Sequence, residues 1–499
     1  MSAETCPPLL GGGAEQDPNL ARLLRSAAER GPQHPAVLDA GTGRELTWSE
    51  LDAAVTGQAL RLRAAGVQPG DRVAMALPNG VEFCVALFAV LRAGAIAVPL
   101  SPASPRLETL RVLEDSGARL LLGNESFDGV AVLAPTMDTE AAGAEVESPG
   151  SDLAVLCYTS GTSGPARGAM LSHSALLANV RQCARLRPMP VNAADRVLLA
   201  LPMYHVYGLG PGLLQVASVG ATAVLLPEFD PEEALAAIAE FRVTAVVGVP
   251  PMYQAWLKVP AQRLRQSMST VRLLTSGAAP LGVDVATAVR SATGLDIFEG
   301  YGLTETGPVL TTTLASARAK PGSVGRPLPD VQLRLVDADG SSIEEGDTGR
   351  VAARGPNLFR GYWPDAVHGP DQDGWFRTGD VGYFDADGDL HLVDRATDLI
   401  VVHGFNVFPH EIESVLAELP GVREAAAIGV PDEAQGETIK AVVVADPDAG
   451  LTADGVREHC AARLAKFKVP ASVVFAASLP HSPTGKVARR PLRGSRPAE

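Results

Sequence analysis

The sequence has few cysteines, no long apolar run and little positive charge. Its five cysteines are scattered without a C-x-x-C pair, which argues against a disulfide framework or a zinc knuckle. The most apolar window, residues 81–100, contains Glu82 and Arg92, so we predict no membrane span. No basic segment precedes an apolar core in the first twenty residues, which argues against a signal peptide. We therefore expect a soluble, cytosolic (cytoplasmic) protein.

The excess of acidic residues argues against one class of partner. With 42 Lys and Arg against 57 Asp and Glu, the formal net charge is −15, which disfavours a surface for nucleic acid or anionic membranes. Only the tail at residues 486–496 is basic; such a tail is usually solvated, although it could also help to hold phosphate groups. At 499 residues the chain is long enough for two or more domains, and nothing in it indicates the oligomeric state.

Helical and strand patterns alternate from residue 19 to about residue 314. This alternation is typical of parallel sheets covered by helices, and we predict two consecutive doubly wound halves, the second beginning near residue 152. Residues 322–394 contain short strands joined by Asp-Ala-Asp-Gly turns, which predicts a small antiparallel barrel or sandwich. We interpret these aspartates as turn residues, because a calcium loop needs further ligands at set spacing.

A compact α+β unit is predicted after residue 395. The predicted fold class is therefore α/β, with a large N-terminal domain of two doubly wound halves plus a small β-barrel at residues 1–394. A small α+β C-terminal domain follows at residues 395–499. The first 20 residues, rich in Gly and Pro, are predicted to be a loose terminus.

The stretch YTSGTSGPARGAMLSH, residues 158–173, is the most distinctive part of the sequence. A predicted strand at 153–157 precedes it, and a helix is predicted at 172–186. Its glycines leave room for a ligand near the backbone, and successive N–H groups beside hydroxyl side chains form a concave surface suited to phosphate. The predicted phosphate ligands are Thr159, Ser160, Gly161, Thr162, Ser163, Gly164 and Arg167. A plain flexible loop is the alternative.

This stretch resembles the phosphate-loop signature of the adenylate-forming superfamily, which contains the acyl-CoA synthetases and their luciferase and peptide-synthetase relatives. Ala166 and Arg167 stand where the family usually has Pro and Lys. Together with this loop, six motifs occur in the family's order over roughly residues 150–490, and their agreement supports the resemblance.

The segment LPMYHVYGLG, residues 201–210, places His205 among aromatic residues at the end of a predicted strand. A single histidine is more often a packing residue, but the segment resembles the histidine motif of the family's acyl site. No aspartate occurs between residues 202 and 210, which argues against amino-acid substrates. The acyl site implied by the resemblance consists of His205, Val206, Tyr207, Gly248, Val249, Gly277 and Gly302.

Two further segments resemble the family's nucleotide and metal motifs. In SGAAPL, residues 276–281, the small residues Gly277, Ala278 and Ala279 would let an adenine ring lie against the backbone, although a tight turn is the alternative. The segment EGYGLTET, residues 299–306, matches the family's Y-G-x-T-E motif completely. The resemblance implies nucleotide contacts for Glu299, Gly300, Tyr301, Gly302 and Thr304, and a Mg²⁺ ligand in Glu305.

The remaining motifs lie towards the C-terminus. GWFRTGD, residues 374–380, resembles the ribose motif, in which Asp380 would accept both ribose hydroxyls, and Arg395 would add a ribose or phosphate contact. Residues 395–413 resemble the hinge and CoA-facing motif of acyl-CoA ligases. The resemblance places Thr397 at the hinge position, where Lys or Asp is usual, and implies that Gly404 would let a thiol arm pass close to the backbone. SPTGK, residues 482–486, resembles the motif of the mobile catalytic lysine, Lys486, although a lone lysine is usually a solvated surface residue.

The resemblance implies two half-reactions, with Lys486, Glu305, Thr304 and His205 as catalytic residues. Mg²⁺-ATP and a carboxylic acid, predicted to be a fatty acid, would give an acyl-adenylate; the mobile C-terminal domain would then swing, and CoA would take the acyl group. Malonate or an aryl acid as substrate, and the pantetheine of a carrier protein as acceptor, remain alternatives. A non-catalytic nucleotide-binding homologue is a hypothesis of a different class.

Overall fold

The computed structural model describes residues 19–138, 152–159, 166–316, 318–337, 339–341, 343, 346–395, 398, 400–402, 405–432, 436–481 and 487–493. The predicted loose terminus lies almost wholly outside these residues. The chain divides into two compact units, the first formed by Met1–Gln332 with Ala353–Phe376 and the second by Leu333–Ala352 with Arg377–Glu499. The domain boundary predicted at residues 394 and 395 stays a prediction.

Helices and strands alternate along the first unit. Its helices are α1 Arg22–Arg30, α2 Trp48–Ala64, α3 Val81–Arg92, α4 Arg106–Ser116, α5 His173–Ala184, α6 Gln215–Val219, α7 Pro231–Glu240, α8 Pro250–Trp256, α9 Ala261–Ser267 and α10 Val283–Thr293. Its strands are β1 Pro35–Asp39, β2 Glu45–Thr47, β3 Arg72–Ala76, β4 Ile96–Leu100, β5 Leu120–Leu122, β6 Ala131–Leu133, β7 Leu153–Thr159, β8 Arg167–Ser172, β9 Arg196–Leu199, β10 Thr222–Leu225, β11 Ala245–Gly248, β12 Leu273–Ser276, β13 Ile297–Gly302, β14 Val309–Thr312 and β15 Arg326–Pro327. A π-helix spans Gly208–Leu214, and short 3₁₀ helices span Thr304–Thr306 and Thr313–Ser316.

These strands form two sheets, as predicted, but the larger sheet is not built from one continuous stretch of the chain. One sheet has the order β6-β5-β3-β4-β7-β8, and the other has the order β15-β14-β13-β12-β11-β9-β10-β1-β2. The prediction that the second half begins near residue 152 is therefore wrong, because β7 pairs with β4 of the first sheet. The early strand β1 instead joins the second sheet, where Val37 pairs with Ala223. Local patterning carries no information about such distant partners.

The apolar window at 81–100 forms an interior helix and strand. Helix α3 is buried on nearly all sides, because covering helices and the sheet enclose it. Its last residue, Arg92, is also buried, and its guanidinium donates to the Asp52 carboxylate at 2.6 Å and to Thr56 Oγ1 at 2.7 Å. A buried cation requires such partners. Within the described part of the chain, no helix is long and apolar enough to cross a membrane.

The second unit contains two sheets. Its strands are β16 Gln332–Val336, β17 Gly349–Arg354, β18 Phe376–Phe384, β19 Leu390–Arg395, β20 Ile400–Val402, β21 Phe405–Val407, β22 Val422–Asp432, β23 Gly436–Ala445 and β24 Ser472–Phe475. Its helices are α11 Pro409–Ala417, α12 Ala453–Ala461 and α13 Arg489–Arg493. One sheet has the order β16-β17-β18-β19; the other has the order β21-β20-β23-β22, with β24 beside β23. Helices α11 and α12 pack on this second sheet through Ile412, Leu416 and Val456.

Candidate active site

The glycine-rich loop connects two antiparallel strands. Strands β7 and β8 pair so that Thr159 lies opposite Arg167, and the predicted ligands Ser160 to Gly164 lie outside the described residues. The helix predicted at residues 172–186 is observed as α5, but the strand β8, which lies between the loop and α5, was not predicted. The phosphate site predicted here would therefore depend on loop N–H groups and Arg167, without help from a helix N-terminus.

A tyrosine that the sequence analysis did not identify connects Arg167 with Glu305. The Tyr362 hydroxyl donates a short hydrogen bond to Glu305 Oε1, and the Arg167 guanidinium carbon lies 5.6 Å from the centre of the Tyr362 ring. Glu305 itself is buried, with 8% of its surface exposed. The two predicted ligand residues, Arg167 and Glu305, thus meet at one aromatic ring.

Three of the predicted motifs meet at one edge of the nine-stranded sheet in the first unit. The parallel register aligns Gly248 at the end of β11 with Ser276 at the end of β12, and Ser276 with Glu299 on β13. Ligands of parallel sheets bind outside the carboxyl ends of the strands, which is the edge in question. The hydroxyl oxygen of Ser276 is buried and has no hydrogen-bond partner among the described residues, as expected of a polar atom that awaits a ligand.

The Y-G-x-T-E segment is held in a tight backbone arrangement. An added Cβ at Gly302 would lie 1.8 Å from the carbonyl oxygen of Pro308, so the position requires glycine. Tyr301 is buried, with 9% of its surface exposed, and Thr304 opens the short 3₁₀ helix that carries Glu305.

Glu299 lies in an environment that disfavours its charge. Burial raises the pKa of its carboxyl from 4.5 to about 7, although hydrogen bonds from the backbone of Leu281 and Gly322 act in the opposite direction. Its own backbone is fixed between Thr312 and Thr313, whose hydroxyls bond its carbonyl and N–H groups. Glu299 is therefore a rigid, partly neutral group at neutral pH.

Two tyrosine rings lie against glycines of the predicted acyl site. The Tyr207 ring lies against Gly277, where an added Cβ would be 2.9 Å from the ring carbon that bears the hydroxyl. Tyr253 lies against Gly248 in the same way, and its hydroxyl donates to the Thr275 carbonyl at 2.6 Å. Burial raises the pKa of Tyr207 to about 12, so its hydroxyl stays neutral.

The structure also describes other predicted members of the acyl and adenine sites. His205 Nδ1 accepts a hydrogen bond of 3.3 Å from the backbone N–H of Tyr207, while Val206 and Val249 are buried. Ala278 has a positive φ of 66°, which sharpens the turn after β12, and Ala279 follows it. These predicted residues thus lie at the ends of β11 and β12 and in the segment before the π-helix.

The predicted ribose motif lies in the second unit. Asp380 on β18 is buried and is paired in register with Arg395 on β19. Gly379, with a φ of 80°, and a bond from the Asp380 N–H to Thr378 Oγ1 fix the backbone beside the carboxylate. The hinge residue Thr397, Gly404 and Lys486 lie outside the described residues.

The donor set around Glu305 fits Mg²⁺. Glu305 offers a buried carboxylate, and its Oε1 accepts a hydrogen bond from the Tyr362 hydroxyl. Mg²⁺ usually binds one or two carboxylates together with substrate phosphates and water, so a single protein carboxylate is sufficient.

The chain matches the models of two known protein families. The model of the AMP-binding enzyme family matches residues 24–363, and that of the AMP-binding enzyme C-terminal domain matches residues 411–486. A feruloyl-CoA synthase from an Amycolatopsis species is 39% identical over 483 residues, covering 93% of this chain and 96% of that protein. A long-chain-fatty-acid–CoA ligase from Yersinia pestis is 34% identical, covering 96% of this chain and 95% of that protein.

A solved structure shows the same fold. ATP-bound MatB from Rhodopseudomonas palustris superposes with a TM-score of 0.89 at 34% identity, covering 95% of this chain and 98% of that chain. The fold and the motifs are those of the AMP-forming acid–thiol ligases, the class predicted from the sequence. The chain belongs to the AMP-binding enzyme family.

Proposed function

We propose that the protein activates a carboxylic acid with ATP and transfers the acyl group to CoA, giving acyl-CoA, AMP and pyrophosphate. The observation that carries this proposal is the register that aligns Gly248, Ser276 and Glu299 at one sheet edge, because it brings the acyl, adenine and metal motifs together. The names of the relatives support CoA as the acceptor.

In the first half-reaction, a carboxylate oxygen of the acid attacks the α-phosphorus of ATP, and the bond to the pyrophosphate oxygen breaks. The loop from Thr159 to Arg167 would hold the phosphates, and Lys486 would neutralise charge on the carboxylate and the α-phosphate in the transition state. Glu305 would hold Mg²⁺, which when bound offsets the negative charge of the phosphates. Asp380 would hold the ribose hydroxyls, and His205 would line the path of the acid.

In the second half-reaction, the thiol loses its proton to solvent and its sulfur attacks the acyl carbon. The bond from that carbon to the bridging oxygen breaks, and AMP leaves with the carboxylate oxygen that it gained. We propose that the C-terminal domain swings about Thr397, so that Lys486 withdraws and Gly404 comes to face the thiol arm. Such closure and re-closure is a hinge motion. This lets one site serve two transition states in turn.

The acid predicted from the sequence is a fatty acid. One feature favours a compact acid, such as an aromatic one, as a second candidate. The rings of Tyr207 and Tyr253 lie against Gly277 and Gly248, where a long alkyl chain would need space. The relatives include both a feruloyl-CoA synthase and long-chain ligases, so either acid has precedent in the family.

The test is a mass-spectrometric assay of the purified protein with Mg²⁺-ATP, CoA and a pooled panel of acids. The panel runs from malonate and short chains to long-chain and aryl acids. One acyl-CoA that rises above the pool supports the proposal and identifies the acid. Acyl-adenylate and AMP without acyl-CoA would point to a carrier protein as the acceptor. No AMP with any acid would contradict the proposal and favour a non-catalytic homologue.

A further inference from the structure

We propose that Tyr362 is a positioning residue that orients the Glu305 carboxylate for Mg²⁺, and that Arg167, whose guanidinium lies over the Tyr362 ring, connects this arrangement to the phosphate loop. The inference rests on the proposed function, in which Glu305 is the metal ligand. It concerns residues within the first unit only.

A five-residue segment, residues 359–363, holds Tyr362 in place. This segment runs beside β8, and the pairing is made by bonds from Arg360 N–H to the Met170 carbonyl at 3.0 Å and from Met170 N–H to the Gly361 carbonyl at 3.0 Å. At its start, the Phe359 N–H donates to the Glu305 carbonyl at 2.9 Å. The backbone of the metal ligand and that of the segment are therefore connected directly.

The two aromatic side chains at the end of this segment are anchored separately. Tyr362 bonds Glu305, whereas Trp363 donates its indole N–H to the Asp115 carbonyl at 2.9 Å. Asp115 also accepts from Tyr158, the residue before Thr159 on β7. The base of the loop is thus supported by two tyrosine–carboxylate pairs, of which only the Tyr362 pair involves the proposed metal ligand.

In this proposal the two carboxylate oxygens of Glu305 have different partners. The bond from Tyr362 holds Oε1, and this fixes the rotation of the carboxylate, so Oε2 can face a cation without first being ordered. Groups that orient a metal ligand typically contribute 10- to 100-fold to metal affinity. The Arg167 guanidinium over the ring adds a cation–π attraction that helps to hold the phenol in place.

This arrangement gives a physical meaning to Arg167, where relatives usually have Lys. A planar guanidinium can stack on an aromatic face, whereas an ammonium group is a compact, strongly hydrated charge. Arg167 lies 5.6 Å from the Tyr362 ring centre, within the range of a cation–π contact. Arg167, which replaces the family's usual Lys, therefore makes a cation–π contact with Tyr362 in this chain.

The test measures how pyrophosphate release depends on Mg²⁺, with the acid found by the panel assay. For Tyr362→Phe we expect the Mg²⁺ concentration at half-maximal rate to rise about tenfold, while the rate at saturating Mg²⁺ stays within about twofold of wild type. A purely structural role would instead lower the rate at every Mg²⁺ concentration. Tyr158→Phe is the matched control, since it removes the corresponding bond to Asp115, and its Mg²⁺ midpoint should equal that of wild type.

Arg167→Lys gives a second measurement, which also serves if Tyr362→Phe does not fold. It keeps the positive charge near the phosphates but replaces the planar guanidinium over the Tyr362 ring by a strongly hydrated ammonium, so we expect a Mg²⁺ midpoint raised about two- to threefold. Unchanged midpoints in the folded variants, or equal shifts in Tyr362→Phe and Tyr158→Phe, would overturn the inference while the wild-type activity upholds the proposed function. Failure of the proposed function would appear separately, as absence of pyrophosphate release from the wild-type protein.

Discussion

The buried carboxyl of Glu299 leads us to predict how the stability of the first unit depends on pH. Its pKa is about 7 in the folded protein against an ordinary value of 4.5, because burial disfavours the charged form. Between these two pH values the folded state keeps a proton that the unfolded state has lost. The stability that Glu299 contributes is therefore complete below pH 4.5 and is lost as the pH rises through about 7. Each pH unit in that window costs about 1.4 kcal/mol, so the whole window costs about 3 kcal/mol.

The substitution Glu299→Gln removes this ionisation while keeping the size of the side chain. Relative to wild type, the variant should gain about 3 kcal/mol in unfolding free energy between pH 4.5 and pH 8. Most of that gain should arise below pH 7. Comparing the two proteins at each pH cancels the contributions of all other groups. Urea unfolding of both proteins at a series of pH values, with the first unit's transition analysed separately, measures the difference.

A control separates burial from the simple loss of a charge. Glu45→Gln makes the same chemical change at an exposed position on β2, and its pH dependence should follow that of wild type. If the difference between Glu299→Gln and wild type were constant from pH 4.5 to pH 8, the reasoning from burial would be refuted.

Three further predictions concern other parts of the chain. Lys486→Ala should cripple acyl-adenylate formation but spare thioester formation from supplied acyl-adenylate, and equal losses in the two assays would contradict its proposed role. Gly302→Ala should destabilise the first unit by about 3 kcal/mol in thermal unfolding, since its Cβ would overlap the Pro308 carbonyl oxygen. Arg489→Leu should destabilise the second unit by about 3 kcal/mol in urea unfolding, because it removes the bidentate partner of the largely buried Glu413.

Two further variants serve as controls for the stability predictions at Gly302 and Arg489. Gly31→Ala adds a Cβ that meets its nearest neighbour, His34, at an ordinary 3.5 Å, so it should change stability far less than Gly302→Ala. Arg463→Leu removes an exposed ion pair with Glu418, which we expect to cost less than about 1 kcal/mol. A loss at either control as large as that at its counterpart would contradict the corresponding structural reason.

Sequence reasoning worked where the signal is local. The strand predicted at 153–157 and the helix predicted at 172–186 differ from the observed β7 and α5 by at most two residues at either end, because hydrophobic period and caps lie within or beside the element itself. The capping box of Thr47 and Glu50, for example, marks the start of α2 in the sequence as well as in the structure. The fold class, which depends on the order of such elements, was predicted for the same reason.

Sequence reasoning failed where segments that are distant in the sequence pair with each other. Nothing near Val37 in the sequence indicates that β1 lies beside β10, and nothing near Glu305 indicates that Tyr362, 57 residues later, bonds its carboxylate. The short strand β8 was missed because its apolar residues continue into the predicted helix. Each motif could be recognised because its residues are contiguous in the sequence. The residues that hold a motif in place, such as Tyr362 for Glu305, lie far from it in the sequence.

The central claim, that the acid is activated through an adenylate, can be tested by isotope transfer. The acid found by the panel assay is labelled with ¹⁸O in both carboxylate oxygens and turned over with Mg²⁺-ATP and CoA. Because the carboxylate attacks the α-phosphorus and AMP leaves with the transferred oxygen, we predict one ¹⁸O atom in each AMP. Acyl-CoA formation with unlabelled AMP, or with the label in inorganic phosphate and ADP as the nucleotide product, would contradict the account.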